Sequence, residues 1–278
     1  MSIDTGRVLL EFDNLCAHSQ RTINDQSIKN SKEALKKPSM PSSIYQKWTS
    51  NLTGNASLDK EPSTHDRTLI SGASGTLLSG QVTVLTGASG SGKSVLLRVL
   101  AGLLPMSSGT VRLSDGTSSN VYHDIHKTAP VLWRKQVALL AQHPQLLDGS
   151  VLENLQMPYQ LHAHQSQIFD RDWNVAQLEH LDRSADFLQQ DAKHLSGGER
   201  QLVNTLRLLQ LSPQVLLLDE PTAALDIDTS TQLVNLLINW LHADAQRTLL
   251  WVTHDTKDIM PLANRHWYMQ AGVLTADS

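Results

Sequence analysis

The 278-residue sequence predicts an α/β fold built around a parallel β-sheet. Two continuous apolar runs, residues 215–218 (VLLL) and 248–253 (TLLWVT), have the length expected of strands that are covered on both faces. Residues 81–86 (QVTVLT) alternate and are rich in β-branched side chains. They lead through a glycine-rich turn into the helical apolar spacing of residues 94–104. This order of strand, glycine loop and helix is typical of an α/β domain.

The composition is that of a globular protein with one large domain or two small ones. The hydrophobic fraction is 40% and the formal net charge is −4, so no bulk electrostatic attraction to nucleic acid is expected. Cys16 is the only cysteine, which excludes an intramolecular disulfide, and the amino terminus lacks the layout of a secretory signal. No stretch approaches the ~20 apolar residues needed to span a bilayer. We therefore expect a cytoplasmic protein that meets a membrane only at its surface.

The remaining segments are taken in chain order. Residues 8–12 (VLLEF) predict a strand, and a polar stretch of about residues 20–64 with three prolines follows. Its few large apolar side chains cannot offset the entropy of ordering it, which predicts an inserted, largely disordered loop. Residues 71–75 (SGASG) are interpreted as a turn. About residues 143–195 are helical in character with few strand signals, which predicts a helical subdomain.

The glycine-rich turn carries a phosphate-binding pattern. Residues 87–94 (GASGSGKS), called the phosphate loop below, match G-x-x-x-x-G-K-[ST] between a predicted strand and a predicted helix. Glycines let backbone N–H groups point at phosphate oxygens, and the following helix adds its positive end. Lys93 supplies a cation to the β and γ phosphates, and the Ser94 hydroxyl can ligate Mg²⁺. The candidate binding residues are Gly87, Ala88, Ser89, Gly90, Ser91, Gly92, Lys93 and Ser94.

Two acids follow the apolar run 215–218. Ligands gather at the carboxyl ends of parallel strands, so we expect Asp219 to hold Mg²⁺ and Glu220 to polarise the water that attacks the γ-phosphate. His254 follows the next apolar strand and is expected beside Glu220, where it contacts the γ-phosphate and orients the water. Gln142, after the preceding apolar run, is expected to reach the same Mg²⁺ and water through its amide.

Residues 195–201 (LSGGERQ), called the signature segment below, resemble the signature sequence of ABC ATPases. The order of motifs also resembles that family: the phosphate loop, Gln142, the signature segment, VLLLDEPT ending at Thr222, AALD at 223–226, and His254. The resemblance implies that the family fold covers about residues 7–275 apart from the insertion. It also implies an ATP-binding α/β core of the P-loop type, a helical subdomain, a small antiparallel β region, and ATP with Mg²⁺ as cofactors.

The same resemblance implies an ATPase that works as a face-to-face homodimer. Ser196, Gly197 and Gly198 of one subunit would close over the γ-phosphate held by the other subunit's phosphate loop, and Asp226 would lie near the dimer seam. The residues agree with this interpretation. Residues 196–198 would open a helix that continues through Leu209, and a helix N-terminus suits an anion.

Three stretches are most similar to small bacterial ATPases of the FetA type, which are associated with iron export. They are RKQVALLAQHPQLLDGSVLENL, LRLLQLSPQVLLLDEP and LLWVTHDTKDI. This resemblance implies a separate multi-span membrane subunit, a place on the cytoplasmic face of the inner membrane, and metal export, with iron as the candidate cargo. The side chains after Gln142 in the region expected to contact the membrane subunit are Leu146, Leu147, Val151, Leu152, Leu155 and Met157. Much of this set is expected to form the core of the helical subdomain instead.

One family feature is not evident in the sequence. Relatives usually place an aromatic residue for adenine stacking shortly after the first strand, where this chain offers only His18. Tyr45 and Trp48 in the inserted stretch are the alternatives, so the adenine contact stays unassigned.

Two rival functions belong to other classes. A soluble ABC ATPase acting on nucleic acid or ribosomes is the main alternative, but that class typically carries long coiled coils, zinc sites or tandem ATPase domains. This chain has one phosphate loop, one signature segment and no sustained heptads. A binding module that no longer hydrolyses ATP is disfavoured because Lys93, Asp219, Glu220 and His254 are all present.

Overall fold

The computed structural model describes residues 6–18, 67–115, 121–223, 225–257 and 259–276. The inserted stretch predicted at 20–64, with Tyr45 and Trp48, lies outside these residues. Every element below belongs to one unit formed by residues 1–18 and 68–278.

The described residues of this unit form both strands and helices. The strands are β1 (Val8–His18), β2 (Thr68–Leu78), β3 (Val82–Thr86), β4 (Ser108–Ser114), β5 (Tyr122–Asp124), β6 (Val137–Leu140), β7 (Val215–Asp219), β8 (Thr248–Val252), β9 (Arg265–Gln270) and β10 (Val273–Ala276). The α-helices are α1 (Lys93–Leu100), α2 (Pro130–Gln136), α3 (Val151–Gln156), α4 (Arg171–His180), α5 (Gly197–Leu209) and α6 (Ile227–His242). Short 3₁₀ turns occur at Met157–Gln160, His162–His164, Ala185–Gln189, Ala192–His194 and Met260–Leu262.

The strands form two sheets. One is antiparallel with the order β2-β1-β4-β5, and the other has six strands in the order β10-β9-β3-β8-β7-β6. In the larger sheet, β9, β3, β8, β7 and β6 run parallel, and β10 closes the edge as an antiparallel hairpin with β9. All five residues of β7 and of β8 are buried, as expected for parallel strands covered on both faces. The α/β prediction and the antiparallel region implied by the resemblance are both confirmed.

The core lies on both faces of the parallel sheet. Successive residues of β7 point to opposite faces, so Leu216 and Leu218 join one apolar cluster while Val215 and Leu217 join the other. The first cluster packs the sheet against α5, α6 and residues 143–195, called the helical segment below, with Val84, Phe187, Leu202 and Leu237 among its members. The second packs it against α1, α2 and the antiparallel sheet, with Phe12, Leu97, Trp133 and Trp267 among its members.

Two local predictions differ from the structure. Residues 71–75 lie inside β2, so the interpretation as a turn is wrong. A Cβ on Gly75 would lie 2.8 Å from the Phe12 ring and 2.9 Å from the Trp267 ring, so the glycine is required by packing across the strands and not by a turn. Helix α1 ends at Leu100 and not near residue 104, because Gly102 adopts a left-handed φ of 66° and ends the helix.

The segment that follows Gln142 contains α3, α4 and four of the 3₁₀ turns. Between residues 143 and 195, all of which are described, the only β pairing is an isolated bridge between Ser150 and Asp191. Ser150 and Glu153 form a reciprocal capping box that starts α3, and the Asp170 side chain caps α4.

The register of β1 and β2 generates a prediction about the inserted stretch. His18 and Thr68 are directly opposite each other in the antiparallel ladder, so a short turn is long enough to join them. We predict that residues 20–64 can be shortened to a tight turn without loss of fold or of basal nucleotide hydrolysis. The free energy of unfolding should stay constant or rise slightly, because each halving of a closed loop recovers about 0.6 kcal/mol.

Thermal unfolding, nucleotide affinity and hydrolysis of the shortened chain are compared with those of the parental protein, in which protease is expected to cut this stretch first. Loss of nucleotide affinity would contradict the prediction and would indicate Tyr45 or Trp48 as the adenine contact.

Candidate functional site

The phosphate loop connects β3 to α1 and is supported by two neighbouring strands. Gly87 and Gly92 have left-handed φ values of 144° and 110°, which side chains rarely tolerate. A Cβ on Gly87 would lie 2.0 Å from the Met269 carbonyl oxygen of β9, and one on Gly92 would lie 2.7 Å from the Leu69 carbonyl oxygen of β2. The two glycines therefore permit both the curl of the loop and the close approach of its supports.

Lys93 reaches back over the loop from the first position of α1. Its ammonium donates to the carbonyl oxygens of Gly87 at 2.7 Å and Ala88 at 2.9 Å. Only 5% of the residue is exposed. This burial lowers the pKa of Lys93, while the negative charges of Glu220 and Asp219 act in the opposite direction. The arrangement places a buried cation inside a ring of backbone groups, which suits an anionic ligand.

Two hydroxyls of the loop are available for a triphosphate and its cation. Ser91 is buried, and its Oγ has no hydrogen-bond partner among the described residues. Ser94 Oγ donates to Asp219 Oδ1 at 3.0 Å, which joins the start of α1 to the end of β7. An all-oxygen pair of hydroxyl and carboxylate fits the ligand preference of Mg²⁺. In the described residues, no group of three or more His, Cys, Asp or Glu side chains is arranged to hold a metal ion, so Mg²⁺ here would share its coordination with phosphate oxygens and water.

Glu220 follows β7 in an unusual backbone conformation. Its φ is 49°, which non-glycine residues seldom adopt, and its N–H donates to the Val252 carbonyl oxygen at 3.0 Å. The carboxylate lies between two side chains from neighbouring strands. Gln142 Nε2 donates to Oε2 at 3.1 Å, and His254 Nε2 lies 2.8 Å from Oε1. The structure thus brings together three side chains that the sequence predicted to meet.

The signature segment starts α5. Ser196 Oγ accepts the Glu199 N–H at 3.2 Å, and Glu199 Oε2 accepts the Ser196 N–H at 2.9 Å, which forms a capping box. Ser196 and Gly197 are exposed, and nothing lies within 4 Å of a Cβ placed on Gly197. No hydrogen bond between described residues joins Ser196, Gly197 or Gly198 to the phosphate loop of the same chain.

Asp226 caps the neighbouring helix α6. Its carboxylate accepts the Thr229 N–H at 2.8 Å and the Thr229 hydroxyl at 2.9 Å, and these bonds hold the pKa of Asp226 below its ordinary value. A Cβ on Gly198 would lie 3.2 Å from the Thr229 methyl group. The N-termini of α5 and α6 therefore pack against each other, and Ser196 and Asp226 lie on one exposed face.

Several supports of the site were not identified from the sequence. The β9–β10 hairpin contacts the phosphate loop through Met269 and through the Gly272 N–H, which donates to the Ser91 carbonyl oxygen at 2.9 Å. No motif marks this hairpin, so no sequence signal was available to find it. His18, the residue considered for adenine, is exposed at the end of β1 with its Nδ1 2.8 Å from Ser107 Oγ.

The predicted partner-contacting set after Gln142 requires a correction. Val151 and Leu155 are fully buried in the core cluster of the helical segment, so neither is accessible to a partner. Leu146, Leu152 and Met157 are half-buried. Leu147 is 56% exposed, which makes it the most accessible apolar side chain of the set.

Comparison with known proteins gives consistent results. The family model described as "ABC transporter" matches residues 70–223. The "Probable iron export ATP-binding protein FetA" of Escherichia coli (strain K12) is 36% identical over 199 residues, which cover 70% of this chain and 81% of that protein. The "Putative ABC transporter ATP-binding protein YjkB" of Bacillus subtilis (strain 168) is 32% identical over 201 residues, covering 72% and 75%. The "Maltose/maltodextrin import ATP-binding protein MalK" of Salmonella paratyphi A (strain ATCC 9150 / SARB42) is 34% identical over 197 residues, covering 69% and 49%.

Solved structures confirm the fold. A "dimeric structure of a post-hydrolysis state of the ATP-binding cassette MJ0796 bound to ADP and Pi" has a TM-score of 0.69 at 18% identity, covering 97% of this chain and 98% of that one. The structure of cbiO1 from Clostridium perfringens, described as part of an ABC transporter complex, has a TM-score of 0.65 at 19% identity, covering 97% and 87%.

Proposed function

Since this chain belongs to the ABC transporter family of ATP-binding proteins, we propose that two copies hydrolyse ATP together and so drive a separate membrane subunit. The chain is an ATPase by this membership. The observation that supports the proposal most is the contact of Glu220 with both Gln142 and His254, next to the Ser94–Asp219 pair. These side chains lie at the carboxyl ends of four neighbouring strands of one sheet, where a bound triphosphate, its cation and the attacking water could all be contacted.

The phosphate loop is proposed to hold the triphosphate of ATP. Its backbone N–H groups and the Ser91 hydroxyl would bind phosphate oxygens, and Lys93 would move from its carbonyl partners to the β and γ phosphates. Ser94 and Asp219 would hold Mg²⁺, with the Gln142 amide oxygen as a further ligand. When bound, Mg²⁺ neutralises charge that develops on the β and γ phosphate oxygens.

Glu220 is proposed as the general base. Its carboxylate accepts a proton from the attacking water as the water oxygen bonds to the γ-phosphorus, and the bond from that phosphorus to the ADP oxygen breaks. His254 and Gln142, which both contact this carboxylate, orient Glu220 and the water. Glu220 is supported by the backbone of β8, which fixes where its side chain begins.

The second copy is proposed to complete the site. Ser196, Gly197 and Gly198 form an exposed helix N-terminus that has no bond to the phosphate loop of its own chain among the described residues, so they would bind the γ-phosphate of the partner copy. Asp226 lies on the same face, and its neighbour Ile227 is 84% exposed, which suits burial at a dimer seam. The dimeric state named for the MJ0796 structure supports this arrangement.

The membrane subunit is proposed to be a separate polypeptide. None of the helices in the described residues is both long and apolar enough to cross a bilayer. We place the dimer on the cytoplasmic face of the inner membrane, with exposed Leu147 as a contact to the partner. Similar proteins are named for iron export and for maltose import, so the direction and cargo rest on the FetA likeness. On that basis iron export is the finer proposal.

Replacing Glu220 with glutamine tests the general base. Glu220→Gln should retain ATP binding but lower kcat by ~10²-fold or more, because the amide cannot accept the proton while the phosphate contacts remain. ATP should then trap a dimer, which light scattering or size-exclusion chromatography detects. Glu11→Gln is the matched control, because the Glu11 carboxylate on β1 is partly exposed and pairs with Arg112 away from the phosphate loop; it should hydrolyse normally. Near-parental turnover of Glu220→Gln would show that Glu220 has another role.

Mixing two defective variants tests the shared site. Lys93→Ala should lower ATP affinity by about tenfold or more, because phosphate loses its direct cation. Ser196→Arg should bind ATP as a monomer but should not close the dimer. Heterodimers of the two retain one intact phosphate loop facing one intact signature segment, so about one site per dimer should recover activity. Absence of recovery in heterodimers that are shown to form would contradict a site shared between copies.

Adding a charge at Leu147 tests the membrane partner. Leu147→Glu should abolish stimulation by the partner while basal hydrolysis stays near the parental rate, whereas Ile168→Glu, which adds the same charge at another exposed apolar position, serves as the control. The tagged protein is captured from solubilised membranes, its partner is identified, and cytoplasmic iron is compared with and without active protein. Capture of only ribosomal or DNA-repair components would overturn the transporter proposal. A membrane partner with unchanged iron would remove the iron proposal alone.

A further inference from the structure

Residues 141–150 form the loop between β6 and α3 and are called the Gln142 loop here. Near its start, this loop contacts the carboxylate of Glu220, the proposed general base. Gln142 donates to Glu220, and three residues later the Gln145 carbonyl oxygen accepts a hydrogen bond from Arg207 Nη2 at 2.8 Å. Arg207 belongs to α5, the helix that starts at the signature segment. One short loop therefore joins the acid that activates water to the helix that faces the other copy.

The Arg207 guanidinium is partly buried, and its hydrogen-bond partners among the described residues are neutral. Burial lowers the pKa of Arg207, and no nearby carboxylate counters this shift. Its partners are instead the Gln145 carbonyl oxygen and the Asn204 side-chain oxygen, the latter at 2.6 Å. An apolar side chain could fill this space without the cost of desolvating a charge. What an apolar side chain could not supply is the hydrogen bond that Arg207 donates to the loop backbone at Gln145.

The far part of the Gln142 loop is fixed separately. Asn154, which is buried, accepts the Leu147 N–H at 2.8 Å and donates to the Leu147 carbonyl oxygen at 3.0 Å. The Gly149 carbonyl oxygen accepts the Ala192 N–H at 2.9 Å. Residues 147–150 are therefore held by the helical segment. Among the described hydrogen bonds to the loop backbone, the bond from Arg207 to Gln145 is the nearest in sequence to Gln142.

We propose that Arg207 is a positioning residue for ATP hydrolysis. It fixes the Gln145 carbonyl to α5 and thereby holds the Gln142 amide at Glu220. Arg207 lies ten residues after Gly197, so about 15 Å of rigid helix separates the loop contact from the signature end. When the signature segment closes over ATP in the other copy, any shift of α5 reaches Gln142 through this bond. The inference rests on the proposed hydrolytic roles of Gln142 and Glu220.

A double-mutant cycle on the purified full chain tests the proposal. Arg207→Met should lower kcat by about fivefold with little change in the KM for ATP, because water is oriented less well while the phosphate contacts are intact. Gln142→Ala should lower kcat by at least as much. If Arg207 acts through Gln142, the double variant should be no slower than Gln142→Ala alone. Arg207→Lys, which keeps a donor to the Gln145 carbonyl, should recover part of the loss.

Arg247→Met supplies the matched control. Arg247 is also partly buried, burial lowers its pKa, and it donates to the Trp240 carbonyl oxygen at 2.6 Å. However, Arg247 precedes β8, whereas His254 of the proposed site follows the other end of that strand. Its replacement should lower the unfolding temperature and leave kcat unchanged, which separates loss of packing from loss of positioning. Should Arg207→Met fail to fold, the same cycle is measured with Arg207→Lys and with Asn204→Ala.

The outcomes separate the inference from the proposed function. Independent, multiplying effects of Arg207→Met and Gln142→Ala on kcat would overturn the positioning role and leave the hydrolytic site in place. Parental turnover of Gln142→Ala would overturn both the role of Gln142 and the inference built on it. The expected result is that the double variant has the same kcat as Gln142→Ala and that Arg247→Met keeps the parental kcat.

Discussion

The parallel alignment of β3, β8, β7 and β6 is the constraint on which the site depends. Parallel strands end at the same edge of a sheet, so the residues that follow four strands meet there although they are far apart in sequence. Burial of these strands on both faces fixes the alignment, because a slip of one residue would exchange the side chains of the two core clusters. Packing of ordinary Leu and Val residues thus sets the distances between the proposed catalytic groups.

The charged side chains of Lys93 and Asp219 are each hydrogen-bonded to neutral groups and not to each other. The Lys93 ammonium is bonded to two loop carbonyls, and Asp219 is bonded to a hydroxyl, so neither charge is neutralised by the other through a direct ion pair. A direct Lys93–Asp219 pair would have to be broken before phosphate could bind, at the cost of the Coulomb attraction of a shielded pair. Weak neutral partners leave the cation ready for exchange with phosphate oxygens.

The sequence predicted the site residues that belong to local motifs, but it did not predict contacts that depend on tertiary packing. The phosphate loop, the Asp219–Glu220 pair and His254 follow strands whose burial is evident from their apolar runs, so their convergence could be derived. The glycines of residues 71–75 predict a turn by composition. In the structure, however, Gly75 leaves room for the Phe12 and Trp267 rings, a tertiary contact that no local pattern reveals. Val151 likewise fits an exposed helix face or a core position equally well until the neighbouring helices are known.

The signature segment and the phosphate loop of one chain have different supports, and this separation gives the Gln142 loop its importance. The phosphate loop is fixed by β2 and the β9–β10 hairpin, whereas the signature end of α5 packs on α6. A change at the signature end can therefore reach Glu220 only through the strands, which are rigid, or through a connection outside the sheet. The Gln142 loop is such a connection, because it touches Glu220 at one end and α5 in its middle and exposes Leu147 beyond. Closure on ATP and contact with a membrane partner would then act on the same backbone segment, which is a mechanical basis for coupling them.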